Sequence, residues 1–476
     1  MAASPSPAQD DRWLRARFDL AVLTVVTVLL RLPGYLAGRH LTFDDGVFGA
    51  SALAMRAGGQ PFRDVFSSQG PLFLPLVWIA DLVGLRTANS PRVLAVASGV
   101  VLVTAVYLAG RTITDRTGAL MAAVLTTVSA TILWVSGPLA ADCVGLAFAA
   151  LTIHLLLRWR DDVTTTRAIW LGLGIGATIS VKALLGPVIL PVALVLLAGR
   201  RLAPIVAGAL TAVAFHLLLW LPWGPADVWD QSYAYHLDVV GDRTPGANLA
   251  KIISTLGDRD LPLVVAVGLA IAALALGRRA LSPTRESRWT SPDVILLTWL
   301  AGVVLVLLTE HPLWRPHVSQ MVPPLALLAA RHRPPLRAVT AAAILVAPYH
   351  LVHAWPILHP DGYSAATIDV LDELAALPAG ALAISDDPGI VWRGGRRTPP
   401  DLVDASILRI ETGQITSASL ARVAARADVC AVVVRSRVRW GSFADLAERL
   451  AAEGYDIAID RGTNDRVYIK RGCAPG

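Results

Sequence analysis

Apolar runs of about 16 to 21 residues recur along the first three quarters of the chain, each about long enough to cross a hydrocarbon core of ~30 Å. The first extends from about Phe18 to Leu36 behind a short tail, residues 1–17, that carries Arg12, Arg15 and Arg17. No small-residue cleavage site follows it, so it reads as a retained signal anchor. Further runs lie near 91–110, 118–136, 142–157, 168–182, 184–199, 202–222, 261–276, 293–309, 318–330 and 337–354, giving about 11 spans over residues 18–354.

The arginines assign sides to these spans, because loops left in the cytoplasm are rich in Lys and Arg. Arg111/Arg116, Arg158/Arg160/Arg167, Arg200/Arg201, Arg278/Arg279/Arg285/Arg288 and Arg331/Arg333/Arg337 all fall on the side of the N-terminal tail, which is therefore cytoplasmic. An odd number of crossings then puts everything after about Trp355 outside. One apolar segment, Pro71 to Leu85, is too short to fit as a span, and counting it would turn every later arginine cluster outward. It is expected to lie in the interface. A helix-like stretch from Asp44 to Ala57 joins it in a long first exterior loop, residues 39–90.

Residues 355–476 change character. Strand-like GALAISDD (Gly380 to Asp387), DVCAVVV (Asp428 to Val434), YDIAI (Tyr455 to Ile459) and RVYIK (Arg466 to Lys470) alternate with helical stretches, which predicts an α/β domain on the extracytoplasmic side. Ser442 to Asp445 has a capping-box pattern, and Gly454 is the expected stop of the helix it opens. A Gly/Pro-rich loop between the first two strands carries Trp392 and Arg393. It is expected either to pack on the membrane part or to bind an acceptor glycan, with Trp392 stacking on a sugar ring.

Composition agrees with this organisation: 54% of residues are hydrophobic and only 16% charged, which excludes a soluble single-domain enzyme. The net charge of +6 follows the positive-inside pattern of the membrane part, while the tail domain is slightly acidic. It therefore gives no reason to expect a nucleic-acid partner. Three cysteines are too few for a disulfide framework, although Cys430 and Cys473 can pair in an oxidising exterior. No phosphate loop, zinc spacing, catalytic serine arrangement or cofactor motif is present, and the sequence leaves a divalent cation open.

Three exterior segments face one another over the membrane: the first loop, the loop from Trp223 to Asp260, and the turn from Glu310 to His317. Ionisable and polar residues collect there. The first loop holds Asp44, Asp45, Arg63 and Gln69, the second Arg243, and the turn His311, Arg315 and His317, while Asp142 and Lys182 sit at exterior span ends. Each has a plain structural reading: Asp44 as a helix N-cap, Asp45 as a first-turn acid, Asp142 as a cap, and Lys182 and Arg31 as snorkelling side chains. Their convergence on one face argues otherwise, since ionisable groups at membrane depth are costly unless used.

The order DDGVFGASALAMRAGGQPFRDVFSSQGPLFLPLVWIADLVGL, PLAADCVGL, TISVKALLGPVILP and HPLWRPHVSQMVPPLALL resembles the integral-membrane glycosyltransferases of the GT-C fold that use polyprenyl-phosphate sugars. Among these are the lipid A aminoarabinose transferases and the protein O-mannosyltransferases, and the resemblance covers about residues 18–350. It implies inverting sugar transfer from a polyprenyl-phosphate donor to an envelope polysaccharide, glycolipid or protein on the exterior face. It also implies that the acid at Asp44 acts on the acceptor hydroxyl and that Asp45 follows as a second catalytic acid. Some relatives carry a lysine before the proline of the interfacial segment, on the donor phosphate. Here that stretch reads Ser68-Gln69-Gly70-Pro71, and Arg315 is the first expected substitute, then Lys182, Arg63 and Arg243. A lipid-precursor transporter or flippase and a membrane-anchored glycan-binding protein are the competing readings.

The arginine pattern makes a direct prediction. Thiol labelling of cysteines introduced at Ser68, Asp242 and beyond Trp355 should report exterior positions, and an exterior reading at Arg278 or Arg279 would overturn the eleven-span arrangement.

Overall fold

The computed structural model describes residues 7–237, 244–276, 289–332 and 335–473. Asp242, Arg243, Arg278, Arg279, Arg285, Arg288 and Arg333 lie outside the described residues.

The membrane part opens with α1 (Pro7–Leu36), then α2 (Phe43–Arg56) and α3 (Phe73–Val83) in the first loop. The helices α4 (Val93–Ile113), α5 (Arg116–Val128), α6 (Ala130–Ser136), α7 (Ala141–Trp159), α8 (Thr165–Val181), α9 (Ile189–Ala198) and α10 (Leu202–Leu218) follow. The helix Pro245–Arg259 lies within the second loop, and beyond it come Leu261–Ala275, Pro292–Thr309, Val322–Arg331 and Leu336–Leu358. Each of the expected apolar runs holds a helix, although several are broken within the run. Among the described residues six helices are long and apolar enough to cross a membrane alone, and α5 with α6, bent by 60°, makes a seventh. The bend has a local cause: Ser129 leaves the helical region, and its hydroxyl accepts from the Ile132 amide at 3.1 Å, capping a new helix. The segment judged too short to span is α3, which buries Phe73, Leu74 and Val77 and exposes Trp78, Ile79 and Val83.

Small residues set the helix spacing, as expected where tight packing replaces a hydrophobic drive between helices. A Cβ at Gly110 would lie 2.8 Å from the Cα of Ala119, and one at Gly172 would lie 2.4 Å from the Gly208 carbonyl oxygen. Arg31 does not snorkel. It is buried, donating from Nε to the Ser136 hydroxyl at 2.8 Å, because Gly99 leaves room for its guanidinium.

The C-terminal α/β domain is a four-stranded mixed sheet of β1 (Leu382–Ser385), β2 (Val429–Val434), β3 (Tyr455–Asp460) and β4 (Arg466–Lys470), in the order β1-β2-β4-β3. β1 and β2 are parallel and wholly buried; β4 runs antiparallel to both its neighbours. Cys430 and Cys473 are bridged. The expected cap at Ser442 is not formed: Ser442 closes a short 3-10 turn, and the helix Leu446–Ala452 starts after Asp445, which pairs with Arg449 at 2.6 Å. Gly454, at φ +83°, follows the end of that helix as expected.

The domain docks on the first loop. Its short helix Pro388–Arg393 crosses α2 so closely that a Cβ at Gly46 would lie 2.7 Å from the Gly389 backbone, and one at Gly49 would enter the Trp392 ring. His40 adds contacts to Asp387 at 3.1 Å and to the Tyr363 hydroxyl at 2.8 Å.

Neither backbone at the Gly46–Gly389 crossing can yield to a methyl group without parting the two units. Gly46→Ala should therefore cost about 1–3 kcal/mol, read as a lower melting temperature and faster proteolysis between Leu358 and Ala365. An unchanged melting temperature would show that the crossing is not held in solution.

Candidate active site

α2 starts where Thr42 caps the Asp45 amide at 3.2 Å, so Thr42, not Asp44, is the N-cap. Asp44 and Asp45 then occupy the first turn, about 100° apart around the helix. Their environments are opposite.

Asp45 is fully engaged. Its Oδ1 accepts from Arg92 Nε and from the Leu139 amide, both at 3.0 Å, and its Oδ2 accepts from Arg92 Nη2 and, at 2.9 Å, from the Leu41 amide. The Arg92 guanidinium also donates to the carbonyls of Gly34, Ala37 and Arg39 at the end of α1. Both side chains are 0% exposed. Burial alone would raise the Asp45 carboxyl, but Arg92 and the two amides outweigh it and hold it below the usual carboxylate range. A carboxylate with both oxygens spent in this way ties α1, α2, α4 and the turn before α7 together. It has no lone pair left for a substrate, so the expected catalytic role for Asp45 does not fit its place.

Asp44 has no hydrogen bond or ion pair among the described residues, and it faces a charged cluster. Burial pushes its carboxyl up to about 6; Lys182 opposes the rise, Asp142 and Asp404 add to it, and His317 opposes it. Lys182 follows α8 and donates to Asp142, at the start of α7, at 2.8 Å. His317 lies 4.0 Å from the other Asp142 oxygen and pairs on its far side with Glu310. Lys182 is thus paired with an acid that the fold brings from 40 residues away in sequence, and is not a snorkelling side chain.

Loop 60–72 is joined to the end of α8, next to Lys182. Its Gly70 amide donates to the Val181 carbonyl at 3.0 Å and its Leu72 amide to the Ser180 carbonyl at 2.9 Å, an approach that only glycine at position 70 permits. The Gln69 backbone carbonyl accepts from the Ser232 hydroxyl at 2.6 Å, and its side-chain nitrogen donates to Ser68 Oγ at 3.3 Å. From the C-terminal domain, Asp404 Oδ2 accepts from Ser68 Oγ at 3.1 Å.

The other candidates are placed apart from Asp44. Arg315 is 46% exposed and faces Asp258 at 3.7 Å. Arg63 is exposed on its own turn, donating to Gln60, and His311 is exposed. Trp392 is only 5% exposed, wedged against α2, with Arg393 lying over it and donating to Asn89 at 2.8 Å. Neither can stack on or clasp an acceptor sugar there; the loop packs on the membrane part, the other of its two expected roles. Arg92, Glu310, Ser68 and Asp404 escaped the sequence reading. Only Arg92, a charge at the head of an apolar run, gave a local signal.

Residues 68–224 match the family described as dolichyl-phosphate-mannose-protein mannosyltransferase, about a third of the chain. No curated protein matches the sequence. Among solved structures, ArnT from Cupriavidus metallidurans bound to undecaprenyl phosphate is similar at TM-score 0.65 and 14% identity, over 98% of this chain and 99% of that one. The archaeal oligosaccharyltransferase AglB from Archaeoglobus fulgidus, in complex with an inhibitory peptide and a dolichol-phosphate, is similar at TM-score 0.56 and 13% identity, over 97% of this chain and 75% of that one. The chain thus has the GT-C fold, a polytopic helical membrane domain followed by a small α/β domain, that the sequence resemblance implied.

The two neighbouring acids should separate in a stability assay. Removing one partner of a buried ion pair costs about 3–5 kcal/mol, so Asp45→Asn should lower the melting temperature sharply while Asp44→Asn leaves it nearly unchanged. Equal effects would contradict the division of labour between them.

Proposed function

We propose that the chain is a GT-C glycosyltransferase of the cell envelope that moves a sugar from a polyprenyl-phosphate donor to a hydroxyl-bearing acceptor on the exterior face, with Asp44 as general base. The observation that carries this reading is the single unpartnered carboxylate at the first turn of α2, with proton affinity raised by burial and a lysine close by. A sugar hydroxyl is a poor nucleophile, so a base must take its proton as the oxygen attacks the anomeric carbon. The bond from that carbon to the phosphate breaks, and the polyprenyl phosphate leaves with the electron pair. With Asp45 locked onto Arg92, one free carboxylate supports a single displacement with inversion. The Cys430–Cys473 bridge supports an oxidising, extracytoplasmic side for the C-terminal domain.

The leaving phosphate gains charge and needs a fixed cation. We assign this role to Lys182 in preference to the exposed Arg315, since its ammonium has three donors and gives one to Asp142. Gln69, at the loop position where relatives carry lysine, leaves Lys182 as the cation beside Asp44. The sugar and the acceptor stay open between polysaccharide, glycolipid and protein.

In proteoliposomes supplied with polyprenyl-phosphate sugars, Asp44→Asn should cut transfer by about 10²-fold or more while donor binding survives. The base works only when ionised, so wild-type transfer should decline as the pH falls through about 6. Lys182→Ala should weaken donor binding and turnover together, and Arg315→Ala should leave both near wild type. Normal turnover in folded Asp44→Asn protein would remove Asp44 from the chemistry. Lipid translocation without sugar transfer would favour the flippase reading.

A further inference from the structure

The membrane helices alone do not complete the surroundings of Asp44. One carboxylate comes from the other domain. Asp404 stands in an irregular stretch between Pro400 and Ser406 and is 4% exposed. The stretch is held rigid from behind, where Arg409 donates to the carbonyls of Asp401 and Asp404, both at 2.7 Å, and lies over the Phe66 ring. Asp404 Oδ1 accepts from the Ser406 amide at 2.8 Å, and Oδ2 accepts from Ser68 Oγ at 3.1 Å. Further joints run alongside: the Phe66 amide donates to the Pro400 carbonyl at 3.2 Å, and the Tyr235 and Ser406 hydroxyls meet at 2.8 Å.

Three features bring Asp404 to the base and not merely to the loop. Val403, its neighbour, belongs to the same buried cluster as Val47 and Phe48 of α2, one turn from Asp44. Ser68, its partner, lies two residues before Gly70, whose amide holds the Val181 carbonyl next to Lys182. The field of Asp404 reaches Asp44 itself, adding to the rise in its proton affinity.

We propose that Asp404 is a positioning residue for sugar transfer, placing a fixed negative charge beside Asp44 and latching the first exterior loop over it through Ser68. The C-terminal domain is then a working part of the site. The proposal rests on Asp44 being the base, but the juxtaposition of the two carboxylates stands independently of that reading. The charged groups facing Asp44 are Lys182 after α8, Asp142 on α7, His317 on the Glu310–His317 turn and Asp404 from the C-terminal domain, and the Tyr235 hydroxyl also lies within its field. On its own helix Asp45 is neutralised by Arg92. Two of the four are negative, and only Asp404 belongs to a different domain. Its charge is the one that domain docking adds or withdraws.

The test reads the proton on Asp44 without needing turnover. A carbodiimide with a small amine labels protonated carboxyls, and mass spectrometry of the Asp44 peptide in the full-length protein gives the labelling midpoint against pH. Asp404→Asn keeps the shape and an acceptor but loses the charge, and Asp404→Ser keeps a short acceptor for the Ser406 amide. Either variant, at wild-type melting temperature, should move the midpoint down by about half a pH unit or more. The acid limb of the transfer rate should shift with it. Ser68→Ala, which leaves the charge in place, should keep the midpoint and lower the transfer rate a few-fold. An unmoved midpoint in a folded Asp404 variant would overturn the proposal. Failure of both variants to fold would also overturn it, since Asp404 would then be a structural anchor. A shifted midpoint in a protein that transfers no sugar would leave the juxtaposition standing and sink the assignment of Asp44 as the base.

Discussion

The buried pair of Asp45 and Arg92 is the constraint from which the rest of the site follows. Two charges out of water are tolerated only when every remaining donor and acceptor is satisfied. Here the guanidinium reaches three carbonyls at the end of α1, while the carboxylate takes the Leu41 and Leu139 amides. That network fixes the rotation of α2. With Asp45 turned inward, Asp44, one residue earlier, must face the ends of α7 and α8, where Asp142 and Lys182 wait. Two adjacent acids of identical chemistry thus acquire opposite properties. One is held ionised and sequestered, the other is left without a partner and with a raised proton affinity, the usual signature of a working acid or base.

The C-terminal domain shares the other side of α2. Glycines at 46 and 49 let the helix Pro388–Arg393 lie against it, and Trp392 fills the space between them. Where the membrane helices give the site its depth, this contact gives it a roof, because the same domain carries Asp404 to Ser68. The loop between the first two strands therefore meets the membrane part through packing and the Asp404–Ser68 hydrogen bond, with Trp392 enclosed and not offered as an aromatic platform.

Much of this was legible in the sequence. Apolar run lengths marked the long helices of the membrane part and short apolar stretches marked the four strands, because both are local consequences of what each element must bury, whereas the helix Pro245–Arg259 in the second loop gave no such signal. Asp44, Asp142, Lys182 and His317 could be named because charges near the exterior ends of apolar runs are conspicuous. Pairings were not legible. Nothing local to Lys182 reveals Asp142, and nothing near Arg31 reveals the gap over Gly99 that buries it. Arg315 looked favourable for the same reason, since its turn is cationic and was expected on the exterior side, yet the fold sets it against Asp258. Asp404 had no signal at all, since its importance arises only when a soluble-looking loop is laid on a membrane domain hundreds of residues away.

On the proposed mechanism Asp44, and not its neighbour, takes the acceptor proton. The pH profile of single-turnover sugar transfer, compared between the wild-type chain and Asp44→Asn, tests it most directly. Single turnover isolates the chemical step from product release. The account predicts a wild-type rate that falls through one ionisation near pH 6, and a much slower, pH-independent residual rate in the variant over the same range. A variant that retains the same acid limb, at whatever rate, would place the base elsewhere and contradict the account.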